Sequence, residues 1–225
     1  MDMFKIRTKG LKLLASLLVV SIILPQHHWE TAVYADDEWA YQIPESELPS
    51  DWNTIGFDDS GWSTGPGGFG YGDEDDGTEI EPALSVYLRR IFAVTNTVDL
   101  ISVILHADYD DGFVAYLNGT EIGRSNNLGE PGTFVSYDET TSTDHEAQLY
   151  WGGYPEAYTL DSQQLVSLLT VGENVLAVQV HNVGITSSDM SSNFYLSFGI
   201  ADESTYYGPP PDWFEPPFVF ITSNL

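Results

Sequence analysis

The stretch Phe113-Val114-Ala115-Tyr116-Leu117-Asn118-Gly119-Thr120-Glu121-Ile122-Gly123-Arg124 decides the fold class. An apolar and aromatic run leads into Asn118-Gly119, and Thr120 to Arg124 runs back. Asn-Gly tolerates the positive backbone angles that a two-residue hairpin turn demands, so the segment reads as two antiparallel strands. Outward from it, Leu84 to Val94, Leu100 to Ala107, Asn174 to Val183 and Phe194 to Ala201 are rich in β-branched and aromatic residues and read as further strands. Only Ser162 to Leu169 suggests a helical turn, and it ends just before Gly172. Strands that follow one another without long helices pack as an antiparallel sandwich, not as a parallel α/β sheet. The expected fold is an all-β sandwich.

The chain has 225 residues and a formal net charge of −27, from 34 Asp and Glu against 7 Lys and Arg. Lys5, Arg7, Lys9 and Lys12 precede or open the apolar run Leu11 to Leu24, which has the length of a signal-peptide core and is too short to span a bilayer. Val33-Tyr34-Ala35 supplies the small residues of a cleavage site. Residues 1–35 are therefore expected to be a cleaved leader, residues 36–203 the sandwich, and the mature protein secreted or at the cell surface. Past that leader only Arg89, Arg90 and Arg124 are positive. So acidic a surface repels phosphate backbones and anionic lipid, which excludes nucleic acid and membrane surfaces as partners. No second apolar stretch reaches membrane-spanning length. There is no cysteine, so stability must come from a packed core, and a hydrophobic content of 42% with 13% aromatic residues suffices for one. Excess acid without lysine also resembles the surface of secreted proteins from salty environments.

Beyond Ala201 the composition changes. Gly208-Pro209-Pro210-Pro211 and Pro216-Pro217 mark residues 204–217 as a Pro-rich linker. The strand-like run Phe218 to Ile221 makes residues 218–225 the expected start of a second domain; the alternative is a tail packed back on the sandwich.

Six stretches in this order resemble the galactose-binding-like β-sandwich, a non-catalytic module of many secreted bacterial proteins. They are Phe57-Asp58-Asp59-Ser60-Gly61-Trp62, Gly67 to Asp73, Val86 to Phe92, Asp110 to Gly119, Gly172 to Asn182 and Ser187-Ser188-Asp189. The arrangement is similar to the version placed ahead of spore-coat-protein-H (CotH) kinase-like domains, and Ile221 to Leu225 resembles the lead-in to such a domain. A similar sandwich precedes the catalytic barrel in the β-galactosidase and glucuronidase superfamily. The resemblance implies a jelly-roll topology, a monomeric accessory module and one structural Ca²⁺. No kinase-like motif is present, and such a fold does not by itself assign a ligand.

Several residues are candidates for chemistry. Gly65 to Gly72 lacks the spacing, the lysine and the following helix of a phosphate loop, so its glycines are read as turns. Asp73-Glu74-Asp75-Asp76-Gly77 and Asp108-Tyr109-Asp110-Asp111-Gly112 cluster hard oxygen ligands, although glycine falls at the fifth position and no EF-hand results. Asp73, Asp75, Asp76 and Glu79 are the expected calcium ligands; the alternative is a plain acidic turn. Strand alternation puts Arg90 on the core face, to be paired with Asp108, Asp110 or Asp111, and turns Arg89 outward, towards a ligand. His181 ends a strand beside Asn182 and is either structural or a ligand contact. His106 and His145 make no zinc pattern with it. Asn118-Gly119-Thr120 matches a glycosylation sequon, but the turn explains the same residues. Tyr150, Trp151, Tyr154 and Tyr158 lie in a Gly- and Pro-broken segment and form either a sugar-stacking platform or a cover over one end of the sandwich.

No nucleophile motif, metal triad or cofactor loop supports a free-standing enzyme. The expectation is a secreted, non-catalytic module that binds carbohydrate or another extracellular ligand; a spacer or protein-interaction domain for a C-terminal CotH-like partner is the alternative.

Overall fold

A computed structural model describes residues 28–72, 76–161 and 167–216. Two antiparallel sheets face one another. One contains β1 (His28–Val33), β12 (Ser191–Ile200), β7 (Leu100–Asp110) and β10 (Glu156–Asp161), in that order. The other runs β3 (Ser63–Pro66), β2 (Glu38–Gln42), β6 (Ser85–Val94), β11 (Gly172–His181), β8 (Gly112–Leu117) and β9 (Thr120–Arg124). A short parallel pair, β4 (Phe69–Gly70) and β5 (Thr78–Glu79), closes one end. The hairpin that decided the fold forms as expected. Asn118 and Gly119 have φ of 51° and 86°, and the Asn118 side chain also accepts from the Val175 amide at 2.9 Å.

Alternation sets the core. Val86, Leu88 and Phe92 of β6, Phe113 and Leu117 of β8, and Leu176, Val178 and Val180 of β11 meet Val103, Leu105 and Tyr109 of β7 and Phe194, Leu196 and Phe198 of β12. The outer faces are covered too. Over the six-stranded sheet, the segment from Leu48 to Trp62 lays Trp52 on Tyr87, Val175 and Ala177. Over the four-stranded sheet lie Trp213 and Phe214, with ring centroids 5.1 and 5.3 Å from His106. Double cover explains why β11 is buried without a break from Val175 to His181.

Two boundaries differ from the sequence reading. The sandwich already includes His28–Val33, within the expected leader, because β1 pairs with β12 along its length. Val33 is fully buried there, and Thr31 Oγ1 lies 2.8 Å from Ser197 Oγ. The Pro-rich segment is not a free spacer as far as Pro216. Glu30 accepts the Tyr206 and Tyr207 amides at 2.8 and 2.7 Å, Thr31 donates to the Gly208 carbonyl at 2.8 Å, and Tyr34 donates to the Pro209 carbonyl at 2.6 Å. Burial opposes ionisation of Glu30, but those amides and His28 outweigh it and hold its pKa below the ordinary value. The run expected to open a second domain, Phe218 to Ile221, lies outside the described residues.

Candidate functional site

At the end of the sandwich where β7 stops and β8 begins, three aspartates do three different things. Asp108 accepts the amides of Gln148 at 2.6 Å and Leu149 at 3.2 Å, which fixes the 3₁₀ turn Leu149–Trp151. Asp111 accepts the amides of His145 at 2.9 Å and Val183 at 2.7 Å, tying two loops to the strand end. Asp110, between them, is buried, and its Oδ1 has no hydrogen-bond partner. Its carboxylate, with those of Glu146 and Asp189, offers three oxygens within 4.8 Å of one another, a group that could hold a metal ion. Burial first, then the charges of Asp111, Asp189 and Glu146, push Asp110 up to about 8.

None of these aspartates meets Arg90, contrary to expectation. Arg90 sits at the rim of the core face and reaches Asp37 at 3.2 Å, with a little under a third of its side chain in solvent. Arg89, expected to face a ligand, is 1% exposed. It does leave the main core, but the Leu48 to Trp62 segment covers it. Its guanidinium bonds Asp59 at 2.7 Å and the Thr54 carbonyl at 3.0 Å, bonds the Trp52 carbonyl as well, and lies 5.2 Å from the Phe57 ring centroid. The Phe57 to Trp62 motif is thus the clamp for an arginine. His181 is also withdrawn from ligands: it is fully buried, its Nδ1 donates to the Glu139 carbonyl at 2.9 Å, and burial lowers its pKa to about 4.

The aromatic segment divides. Trp151 and Tyr154 are 75% and 61% exposed, Tyr150 is 40% exposed, and the Tyr150 and Trp151 rings lie 4.5 Å apart. Tyr158 does not join them. Its ring packs edge-on against Phe113 at 5.4 Å, and its hydroxyl donates to Glu156 at 2.6 Å. Tyr109 donates to the same carboxylate at 3.0 Å, and His145 stacks on Tyr109 at 4.1 Å, which makes a rigid floor beside the turn.

Of the expected calcium ligands, Asp73 and Asp75 lie outside the described residues. Glu79 lines a cleft with Tyr41 and Tyr71, and Asp76 sits close against Gly70. Neither is in the acidic group found among the described residues. Asp189 was legible only as part of a resembling stretch, and Glu146 carried no signal because its loop has no periodicity.

No protein-family model matches the chain, and no curated protein does. Solved structures do. One is Bifidobacterium dentium β-glucuronidase, at 18% identity and a TM-score of 0.42, covering 69% of this chain and 20% of that one. A glycosyl hydrolase family 2 member from Bacteroides cellulosilyticus matches at 14% identity and a TM-score of 0.44, covering 74% and 20% respectively. An uncultured Clostridium sp. β-glucuronidase matches at 18% and 0.46, covering 77% and 29%. This chain therefore spans between about a fifth and three-tenths of the length of these solved chains.

Proposed function

We propose that this protein is an exported, non-catalytic β-sandwich module that binds carbohydrate through Tyr150, Trp151 and Tyr154. The observation that carries the reading is the exposure of these rings, Tyr150 and Trp151 on a turn that buried Asp108 holds from behind and Tyr154 just beyond it. A flat aromatic face presented rigidly suits the C–H face of a sugar ring, and little ordering entropy is lost on contact. The Trp151→Ala/Tyr154→Ala double variant is expected to keep its melting temperature and lose about tenfold or more in retention by insoluble or gel-embedded polysaccharides. Undiminished retention of the double variant overturns the platform.

The proposal extends to a Ca²⁺ held by Asp110, Glu146 and Asp189. Oxygens bound to one Ca²⁺ at about 2.3–2.6 Å stand up to roughly 5 Å apart, so the spacing fits, and the unpartnered Oδ1 of Asp110 supplies an unmet need for a cation. CaCl₂ at about 100 times Kd is expected to add about 2.7 kcal/mol, or roughly 5–10 °C in melting temperature over EDTA. Without the ion, the folded state keeps a proton on Asp110 that the unfolded chain releases, so its contribution to stability falls as pH rises from about 4 towards 8. Asp110→Asn should remove both the calcium gain and that pH slope. An unchanged melting temperature with EDTA against CaCl₂ overturns the site.

Export follows the apolar run near the N-terminus. The leader would have to be removed before His28, because cleavage after Ala35 would excise β1.

A further inference from the structure

The outer face of the six-stranded sheet holds a small cavity of about 90 Å³ among Trp52, Tyr87, Tyr116, Phe134 and Gln179. Tyr87, Gln179 and Tyr116 rise from β6, β11 and β8, with Gln179 opposite Tyr87 and Ala177 opposite Tyr116. The Trp52 ring stands edge-on to Tyr87 at 4.6 Å and to Tyr116 at 5.7 Å. Two arginines fix the walls. Arg89 holds the Trp52 carbonyl. Arg124, itself buried and doubly bonded to Glu121, donates to the Leu128 and Thr133 carbonyls at 2.8 and 2.7 Å, immediately before Phe134. The cavity is preformed.

Its floor has an unmet polar group. Gln179 is 2% exposed; its Nε2 donates to the Tyr116 hydroxyl at 3.2 Å, while Oε1 has no partner. Oε1 is an acceptor with free lone pairs, so the amide can still take a hydrogen bond donated by a ligand hydroxyl. A buried amide end in that state is a strong attractor for a hydroxyl.

We propose that this cavity takes the hydroxymethyl arm of a neutral sugar residue. Volume sets the size: at about 30 Å³ for each water-sized group, the space admits an arm of roughly three such groups and leaves the ring at the rim. There Phe134, 78% exposed, offers an aromatic face. Charge sets the sign: Glu47 lines the cavity, and the guanidinium behind Trp52 is committed to Asp59 and to backbone carbonyls, so a carboxylate arm is repelled. The site does not depend on the Tyr150, Trp151 and Tyr154 platform; it is built from other loops, and each can fail alone.

The test is ligand-observed NMR titration of the full chain with three methyl glycosides: a hexoside carrying the hydroxymethyl arm, a xyloside lacking it, and a glucuronide with a carboxylate in its place. The hexoside is expected to bind at millimolar concentrations, and the other two at least about tenfold more weakly, the loss expected for one hydrogen bond. Measured in the Trp151→Ala/Tyr154→Ala background, which takes the separate platform out of the readout, Gln179→Leu should weaken the hexoside by a similar factor without lowering the melting temperature. Should Gln179→Leu not fold, Tyr116→Phe, which takes away one hydroxyl, decides in its place. In that background, equal binding of all three glycosides, full binding by the Gln179→Leu or Tyr116→Phe variant, or no hexoside binding at all overturns the cavity as a sugar site.

Discussion

A chain beginning at Asp36 is expected to be largely unfolded under conditions where a chain beginning at Gln26 melts as one cooperative unit. The difference is β1. Without it β12 becomes an open sheet edge, and the hydroxyl of Ser197 loses Thr31. The amides of Tyr206 and Tyr207 lose the Glu30 carboxylate, so the covering segment that ends in Trp213 and Phe214 loses its anchor. Each buried amide left without an acceptor costs about 1–3 kcal/mol, and the burial of Val33 contributes roughly another 1.5–3. Adding the exposed rings beneath Phe214, the total is of order 5–10 kcal/mol, comparable to the whole stability of a domain. Circular dichroism melts and size-exclusion elution of the two chains read this directly. Superimposable melts would mean that β1 is dispensable, and the leader could then be removed after Ala35.

The same strand shows what the sequence could and could not reveal. The leader pattern and the sandwich share Val33-Tyr34-Ala35: small and apolar residues satisfy a peptidase and an edge strand alike, and nothing local separates the two. The hairpin at Asn118-Gly119 was legible because its signal is local, one backbone conformation that few residue pairs adopt. Alternation then put Leu88 and Phe92 correctly inside and Arg89 on the opposite face. It failed at the next inference, that the opposite face meets solvent. Whether an outer face is covered depends on where Trp52 and Phe57 return in space, and that contact is long-range. The tail misled for a related reason. Prolines forbid pairing within a sheet, but Gly208 and Pro209 still offer carbonyls, which Thr31 and Tyr34 use. At the acidic end, composition indicated that carboxylates would cluster without saying which. Asp110, Glu146 and Asp189 come from three separate segments, so no spacing rule finds them.

Breaking the Arg89–Asp59 pair should be the most damaging single change in the six-stranded sheet. The Arg89 side chain is wholly buried, whereas Asp59 keeps about a quarter of its side chain in solvent, and the two meet at 2.7 Å. Arginine cannot shed its proton at any accessible pH, so Asp59→Ala leaves a buried cation whose remaining partners are carbonyls and the Phe57 ring. Removing one partner of such a pair costs about 3–5 kcal/mol, or of order 10 °C in melting temperature for a domain of this size. Arg89→Met should cost less, because the surviving carboxylate can turn to water. The carbonyls of Trp52 and Thr54 would lose their donor, so the tryptophan over the cavity should loosen, visible as a weakened near-ultraviolet circular dichroism signal. The double variant Arg89→Met/Asp59→Leu separates charge from packing. If uncompensated charge dominates, it will be more stable than Asp59→Ala alone, and the coupling between the two sites will exceed about 1 kcal/mol. Additive losses would instead mean that Arg89 holds the segment through the backbone carbonyls, with Asp59 incidental. An Asp59→Ala variant that melts within about 3 °C of the parent, less than roughly 1 kcal/mol, would reject the clamp altogether.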